Sequence, residues 1–76
     1  MKTEYQYLTF ELMPEQSSKT SAWFCKNKRS GTVLAHVKFH PPWRQYCFFP
    51  VIQAVYNKGC LSDISDFLNQ LQEERK

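Results

Sequence analysis

"TVLAHVKFHPPWRQYCFFP", residues 32–50, holds two alternating runs hinged on a proline pair, and the assignment of their sides decides the fold. Successive side chains of a strand point to opposite faces. In residues 32–40, Val33, Ala35, Val37 and Phe39 share one side, and Leu34, His36, Lys38 and His40 share the other. Pro41-Pro42 breaks the run and resets its direction. Residues 43–49 resume the alternation, and Pro50, which has no N–H to give a ladder, limits pairing at that end.

Outward from this stretch the same period recurs. In "YQYLTFEL" (5–12), Leu8, Phe10 and Leu12 oppose Tyr5, Tyr7, Thr9 and Glu11. Residues 13–21 are turn-rich, "AWFCKN" (22–27) reads as a second strand, and "KRSG" (28–31) as a hairpin loop with Gly31 free to take a positive φ. Residues 51–56 read as a short fifth strand or an extended arm. The period then changes. Leu61, Ile64, Phe67, Leu68 and Leu71 fall in one stripe at helical spacing, predicting a helix over about 58–73 that opens on Cys60's side of the core. Asn57 fits its N-cap, and Tyr56 against Leu61 fits a hydrophobic staple. The sum is a single α+β domain: an antiparallel meander of four to five strands (about 5–12, 22–27, 32–40, 43–49 and 51–56) with one C-terminal amphipathic helix packed on one face.

One helix covers one face of a sheet, so the reverse must be solvated, dimerised or used. Alternation carried through residue 49 places Leu8, Phe10, Leu12, Trp23, Cys25, Val33, Ala35, Val37, Phe39, Cys47 and Phe49 under the helix. The open face then presents Tyr5, Tyr7, Phe24, Lys26, His36, Lys38, Arg44, Tyr46 and Phe48, with Lys28 and Arg29 on the neighbouring loop. Rings and cations on an open sheet suit single-stranded nucleic acid, each stacked base being worth ~1–3 kcal/mol while cations hold the backbone. The same pattern also serves cross-strand pairing and solubility, or a protein interface anchored on aromatics and arginine. No RNP-type signature occurs.

Charge layout points the same way. Lys19, Lys26, Lys28, Arg29, Lys38, Arg44 and Lys58 lie between Gln16 and Ser62 with no Asp or Glu among them, while Asp63, Asp66, Glu73 and Glu74 crowd the end of the chain. A basic middle favours a polyanion or an acidic protein surface, and otherwise is solvated decoration. The N-terminus lacks the apolar core of a signal peptide, and no run is long enough for a membrane span. Three cysteines without such a signal suggest reduced thiols in a cytoplasm.

Little here supports chemistry. His36 and His40 are four residues apart, which in a strand is roughly 13 Å, too far for one ion. Cys25 and Cys47, both assigned to the core, stand roughly two strand spacings apart, ~9–10 Å, beyond disulfide reach. Cys60 reads as a third core cysteine, and a zinc site from the three lacks any CxxC spacing. No nucleophile, base and orienting acid converge, and two glycines in the chain make no phosphate loop. An enzyme is not expected, nor a metal or cofactor.

The stretches "SGTVLAHVKF", "PWRQYCFFP" and "CLSDISDFL" together resemble a group of small uncharacterised proteins of bacterial phages and prophages. In that group a W-R-x-Y-x-F-x-P strand precedes a C-L-x-D-I-x-x-F helix. Trp43, Arg44, Tyr46, Phe48 and Pro50 fall on the first motif; Cys60, Leu61, Asp63, Ile64 and Phe67 fall on the second. Ala35 and Phe39 stand where the group carries Gly and Trp. The resemblance implies a phage accessory protein acting in the host cytoplasm and brings no catalytic residue with it.

Three functions fit these observations. The first is a non-enzymatic module binding single-stranded nucleic acid or a nucleotide through Arg44, Tyr46, Phe48, Lys38, His36, Lys26, Phe24, Lys28, Arg29 and Tyr7. The second is an inhibitor or adaptor of a host replication, transcription or defence protein, anchored by Arg44, Tyr46 and Phe48. The third is a homodimer that buries the open face and has no external partner.

Overall fold

A computed structural model describes residues 1–14, 19–51 and 53–75. Four strands, β1 (Leu8–Leu12), β2 (Trp23–Asn27), β3 (Val33–His40) and β4 (Gln45–Pro50), form one antiparallel sheet in chain order, and one helix, α1 (Lys58–Glu74), follows. This is the α+β meander expected. Of the predicted fifth strand, residue 52 lies outside the described residues; the others belong to no strand, and Gln53 has φ 70°. The described ends of the segment are tied to the sheet, where Val51 N–H and the Tyr56 hydroxyl both donate to the Leu34 carbonyl.

The core is aromatic. Phe67 of α1 is fully buried, stacks on Phe10 with ring centroids 4.0 Å apart, and meets the edge of Trp23. Cys60, Ile64 and Leu71 complete the buried stripe of the helix against Leu8, Cys25, Ala35 and Val37. Asn57 caps α1 as expected, its Oδ1 accepting from Cys60 N–H at 2.8 Å. The predicted staple does not form: Leu61 is 56% exposed, and Tyr56 packs instead on Phe48. Leu12, also expected in the core, is 49% exposed.

Three local devices shift side chains off a simple alternation. Strand β1 begins at Leu8 because residues 3–5 fold back along its outer edge, with Tyr5 N–H donating to the Leu8 carbonyl and Phe10 N–H to the Thr3 carbonyl. Tyr5 is thereby buried on the helix side, donating to Asp66 and accepting from Gln70. In β3 the ladder steps from Cys25–Ala35 to Lys26–Val33, leaving Leu34 as an extra residue. Such a bulge turns Leu34 towards the core and places Val33 opposite Lys26 on the other face.

The third device is the connection between β3 and β4. Residues Pro41–Trp43 make a single 3₁₀ turn closed by Arg44 N–H donating to the Pro41 carbonyl, and Arg44 takes left-handed φ 52°, ψ 40°. His40 pairs with Gln45, so the loop between them holds four residues. Paired residues share a face. An even loop therefore matches odd positions of β3 with even positions of β4: Phe39 with Tyr46, Val37 with Phe48. Tyr46 and Phe48, expected on the open face, lie under the helix, and Cys47 and Phe49, expected in the core, lie on the open face.

Tyr46 is 7% exposed, its hydroxyl accepts from Ser21 N–H, and its own N–H donates to Gln72 Oε1. Phe67→Leu is expected to lower the unfolding free energy by about 1–2 kcal/mol, and Tyr46→Ala by ~3–5 kcal/mol. Leu61→Ala should stay within about 0.5 kcal/mol of the parent. Urea denaturation followed by tryptophan fluorescence measures all three, and a near-neutral Tyr46→Ala would contradict the inward placement of that ring.

Candidate functional site

The ladder fixes the open face. Opposed residues there are Thr9 with Lys26, Glu11 with Phe24, Phe24 with His36, His36 with Phe49, Lys38 with Cys47, and His40 with Gln45. Their rings form two adjoining groups, which meet at the cross-strand pair His36–Phe49. Phe24 lies 5.4 Å from His36 between centroids; Phe49, the cross-strand partner of His36, meets His40 edge-on at 5.8 Å; His40 meets Trp43 edge-on at 5.1 Å. Trp43 projects from the rigid proline turn and is 64% exposed.

Cations flank this row. Lys38 Nζ sits 4.8 Å above the Phe49 ring, and Lys26 Nζ 5.6 Å above Phe24. Lys26 also reaches Glu11 Oε2 at 2.7 Å, an ion pair in water that contributes little. Among the described residues two acids belong to this face, Glu11 opposite Phe24 and Glu4 at the edge in a bridge with Thr9, and Lys38 makes no ion pair. Arg44 is exposed beside Trp43 in the turn.

Of the predicted contact residues, Phe24, Lys26, His36 and Lys38 are on this surface and Tyr46 and Phe48 are not. Tyr7, Lys28 and Arg29 come together elsewhere, lining an open pocket with Gln6 and Asn27 at the β2–β3 hairpin end. The reading of the sequence missed Phe49, and left His40 and Trp43 out of the contact set. Residues 43–49 carry large apolar side chains at both parities, so hydrophobicity does not choose between them. The length of the turn does.

The cysteines divide by face. All three are free thiols. Cys25 is fully buried, and burial, with Cys60 nearby, pushes its thiol up to about 12. Cys60 is buried at the start of α1. Cys47, expected in the core, is half-buried on the open face opposite Lys38, its thiol donating to the Gln45 carbonyl at 3.8 Å. Burial and then the Asp66 carboxylate raise the Tyr5 hydroxyl well above the usual phenol range, and burial raises that of Tyr56. Among the described residues no three His, Cys, Asp or Glu side chains are placed to hold a metal ion, and no helix is long and apolar enough to cross a membrane.

Over 71 residues, 93% of this chain and 91% of the relative, the sequence is 34% identical to an uncharacterized 9.3 kDa protein of Acholeplasma phage L2. The chain belongs to the family of that small phage protein. No family model matches it, and no solved structure does. Near-complete coverage of both chains means that the shared unit takes in sheet and helix alike. The expected kinship with small phage proteins is met at that level.

The raised groups set an alkaline limit. Cys25 ionises near 9 in an unfolded chain and near 12 in the fold. Between those values the folded state keeps a proton that the unfolded chain has lost, so the stabilisation is complete below pH 9 and is lost as pH rises through the folded value. Tyr5 and Tyr56 act in the same direction. The unfolding free energy is expected to decline from about pH 9 upward, by as much as ~1.4 kcal/mol per pH unit for each such group, and Cys25→Ala to shallow the decline. Urea midpoints that stay level from pH 8.5 to 11 would contradict it.

Proposed function

We propose that this is a non-enzymatic phage accessory protein that binds single-stranded nucleic acid across its open sheet face, in the cytoplasm of the infected host. One observation carries the reading: the aromatic row Phe24, His36, Phe49, His40 and Trp43 on one face, with Lys38 and Lys26 seated on its rings. Edge-to-face contacts of His40 with Phe49 and Trp43, and the tilted contact of Phe24 with His36, orient these rings before a ligand arrives. An incoming base displaces an ammonium from a ring face and stacks there, and the freed ammonium meets the adjacent phosphate. Lys26, Lys38 and Arg44 supply three such contacts.

Access supports the same face. Residues 3–5 cover the outer edge of β1. On β4, Pro50 lacks an N–H and that of Tyr46 is taken by Gln72. Strand addition at either edge is thereby hindered, and the second face lies beneath α1. A second reading, an acidic host protein on the same surface, is favoured by Trp43, an exposed ring on a stiff turn of the kind that anchors interfaces.

Fluorescence anisotropy with a labelled single strand of roughly eight nucleotides tests the first reading. Affinity should fall with salt at a log–log slope of about −2, three phosphate contacts at roughly −0.7 each. Phe49→Ala and Trp43→Ala should each weaken binding by about tenfold or more. Lys38→Ala should shallow the slope by about 0.7. Binding that is absent at low salt, or indifferent to salt, would exclude nucleic acid and leave the host protein or a self-associated pair, which light scattering separates.

A further inference from the structure

The pocket lined by Gln6, Tyr7, Asn27, Lys28 and Arg29 lies apart from the aromatic row and encloses about 350 Å³. We infer that it is an end-recognition site for a terminal phosphate of a nucleic acid or nucleotide, with the Tyr7 ring under the last base and Lys28 and Arg29 on the phosphate; for oligonucleotides this rests on the open-face reading.

The hairpin that builds the pocket is held tightly. Asn27 Oδ1 accepts from Arg29 N–H at 2.9 Å and Ser30 N–H at 3.1 Å, Gly31 N–H donates to the Asn27 carbonyl at 2.7 Å, and Gly31 has φ 78°. Lys28 N–H donates to the Tyr7 carbonyl, extending the β1–β2 ladder by one pair, and Lys28 Nζ donates to the Tyr5 carbonyl at 3.1 Å. That contact uses one of three ammonium donors and aims the group, leaving the others for a ligand. Tyr7 is 49% exposed, with its hydroxyl accepting from Gln6 Nε2 at 3.1 Å.

Charge selects the ligand. Two cations line the pocket and no acidic side chain does. A phosphodiester carries one negative charge and continues at both ends. A terminal phosphomonoester carries about −1.5 to −2 at pH 7, which matches the pair, and three oxygens that suit the guanidinium fork. Position fits as well. Tyr7 is two residues before Thr9, whose partner Lys26 lies over Phe24, so the pocket stands at the Phe24 end of the row and Trp43 at the other. A strand crossing the sheet from Trp43 would finish there.

The test compares one single-strand sequence in three forms, unphosphorylated, 5′-phosphorylated and 3′-phosphorylated, with inorganic phosphate and a nucleoside 5′-monophosphate as small probes. Anisotropy should give about tenfold tighter binding for one phosphorylated form, and ¹⁵N-resolved NMR should shift Tyr7, Lys28 and Arg29 with the mononucleotide. Arg29→Ala and Lys28→Ala should remove the preference and leave the affinity of the unphosphorylated strand unchanged within twofold. Equal affinities for all three strands, with shifts confined to Phe49 and Trp43, would overturn the pocket and keep the open-face reading. A phosphate preference indifferent to Phe49→Ala and Trp43→Ala would keep the pocket and overturn that reading. Inorganic phosphate shifting the same amides as strongly as the mononucleotide would overturn the role given to Tyr7.

Discussion

The four-residue connection between His40 and Gln45 decides which side of β4 meets the helix, and both halves of the molecule depend on it. With this loop, Tyr46 turns inward, accepts from Ser21 N–H with its hydroxyl and donates its backbone N–H to Gln72, and so ties the segment before β2 and the end of α1 to one residue. Trp23 joins the same knot, its indole N–H donating to Ser21 Oγ. Phe48 likewise meets Tyr56 and anchors the arm that leads to the helix. One residue fewer would reverse β4, send Tyr46 and Phe48 into water and drive Cys47 and Phe49 beneath α1. The turn accommodates the correct register by holding Arg44 in a left-handed conformation that an L residue adopts at some cost.

How much of this was legible in the chain depends on what each residue's signal competes with. The helix was plain, because its apolar stripe is uncontested and Asn57 is a strong cap. Gly31 marked its hairpin for the same reason: few residues take φ 78° without strain. Strands β1 and β2 came out on the correct faces because Leu8, Phe10, Trp23 and Cys25 alternate with polar neighbours or with Phe24. Beyond the prolines no such contrast exists. "WRQYCFF" offers rings on both sides, and the sum of loop residues, which sets the parity, is a tertiary property. Tyr5 was misplaced because its hydroxyl finds Asp66 and Gln70 on a helix 61 or more residues away. Val33 was misplaced by a bulge that leaves no mark in composition.

The candidate surface survived this exchange with different members. Its cations and histidines come from β2 and from β3 beyond the bulge, where the faces were read correctly, and Phe49 stands on the face that Tyr46 and Phe48 had been given. Phe49 is paired with His36 and its ring meets His40. Charge is unevenly shared between the layers: Asp63, Asp66, Glu73 and Glu74 ride on α1 with Lys58, while Lys26, Lys38 and Arg44 belong to the sheet and its turn with Glu11.

A chain of this size cannot set aside interior volume for a ligand. Nearly every large side chain that reaches the centre, Phe10, Phe67, Leu8 and Val37 among them, is consumed in holding one helix to one sheet. What remains for recognition is the face the helix leaves uncovered. Rings there would ordinarily invite collapse or aggregation, and the sequence answers with edge-to-face histidine contacts, ammonium groups laid over Phe24 and Phe49, and strand edges closed by Pro50, Gln72 and the N-terminal turn. Each of these measures keeps the aromatic row soluble without hiding it. On the proposed nucleic-acid reading, the lysines that shield these rings in the free protein are the groups placed to meet a phosphate once a base takes their place.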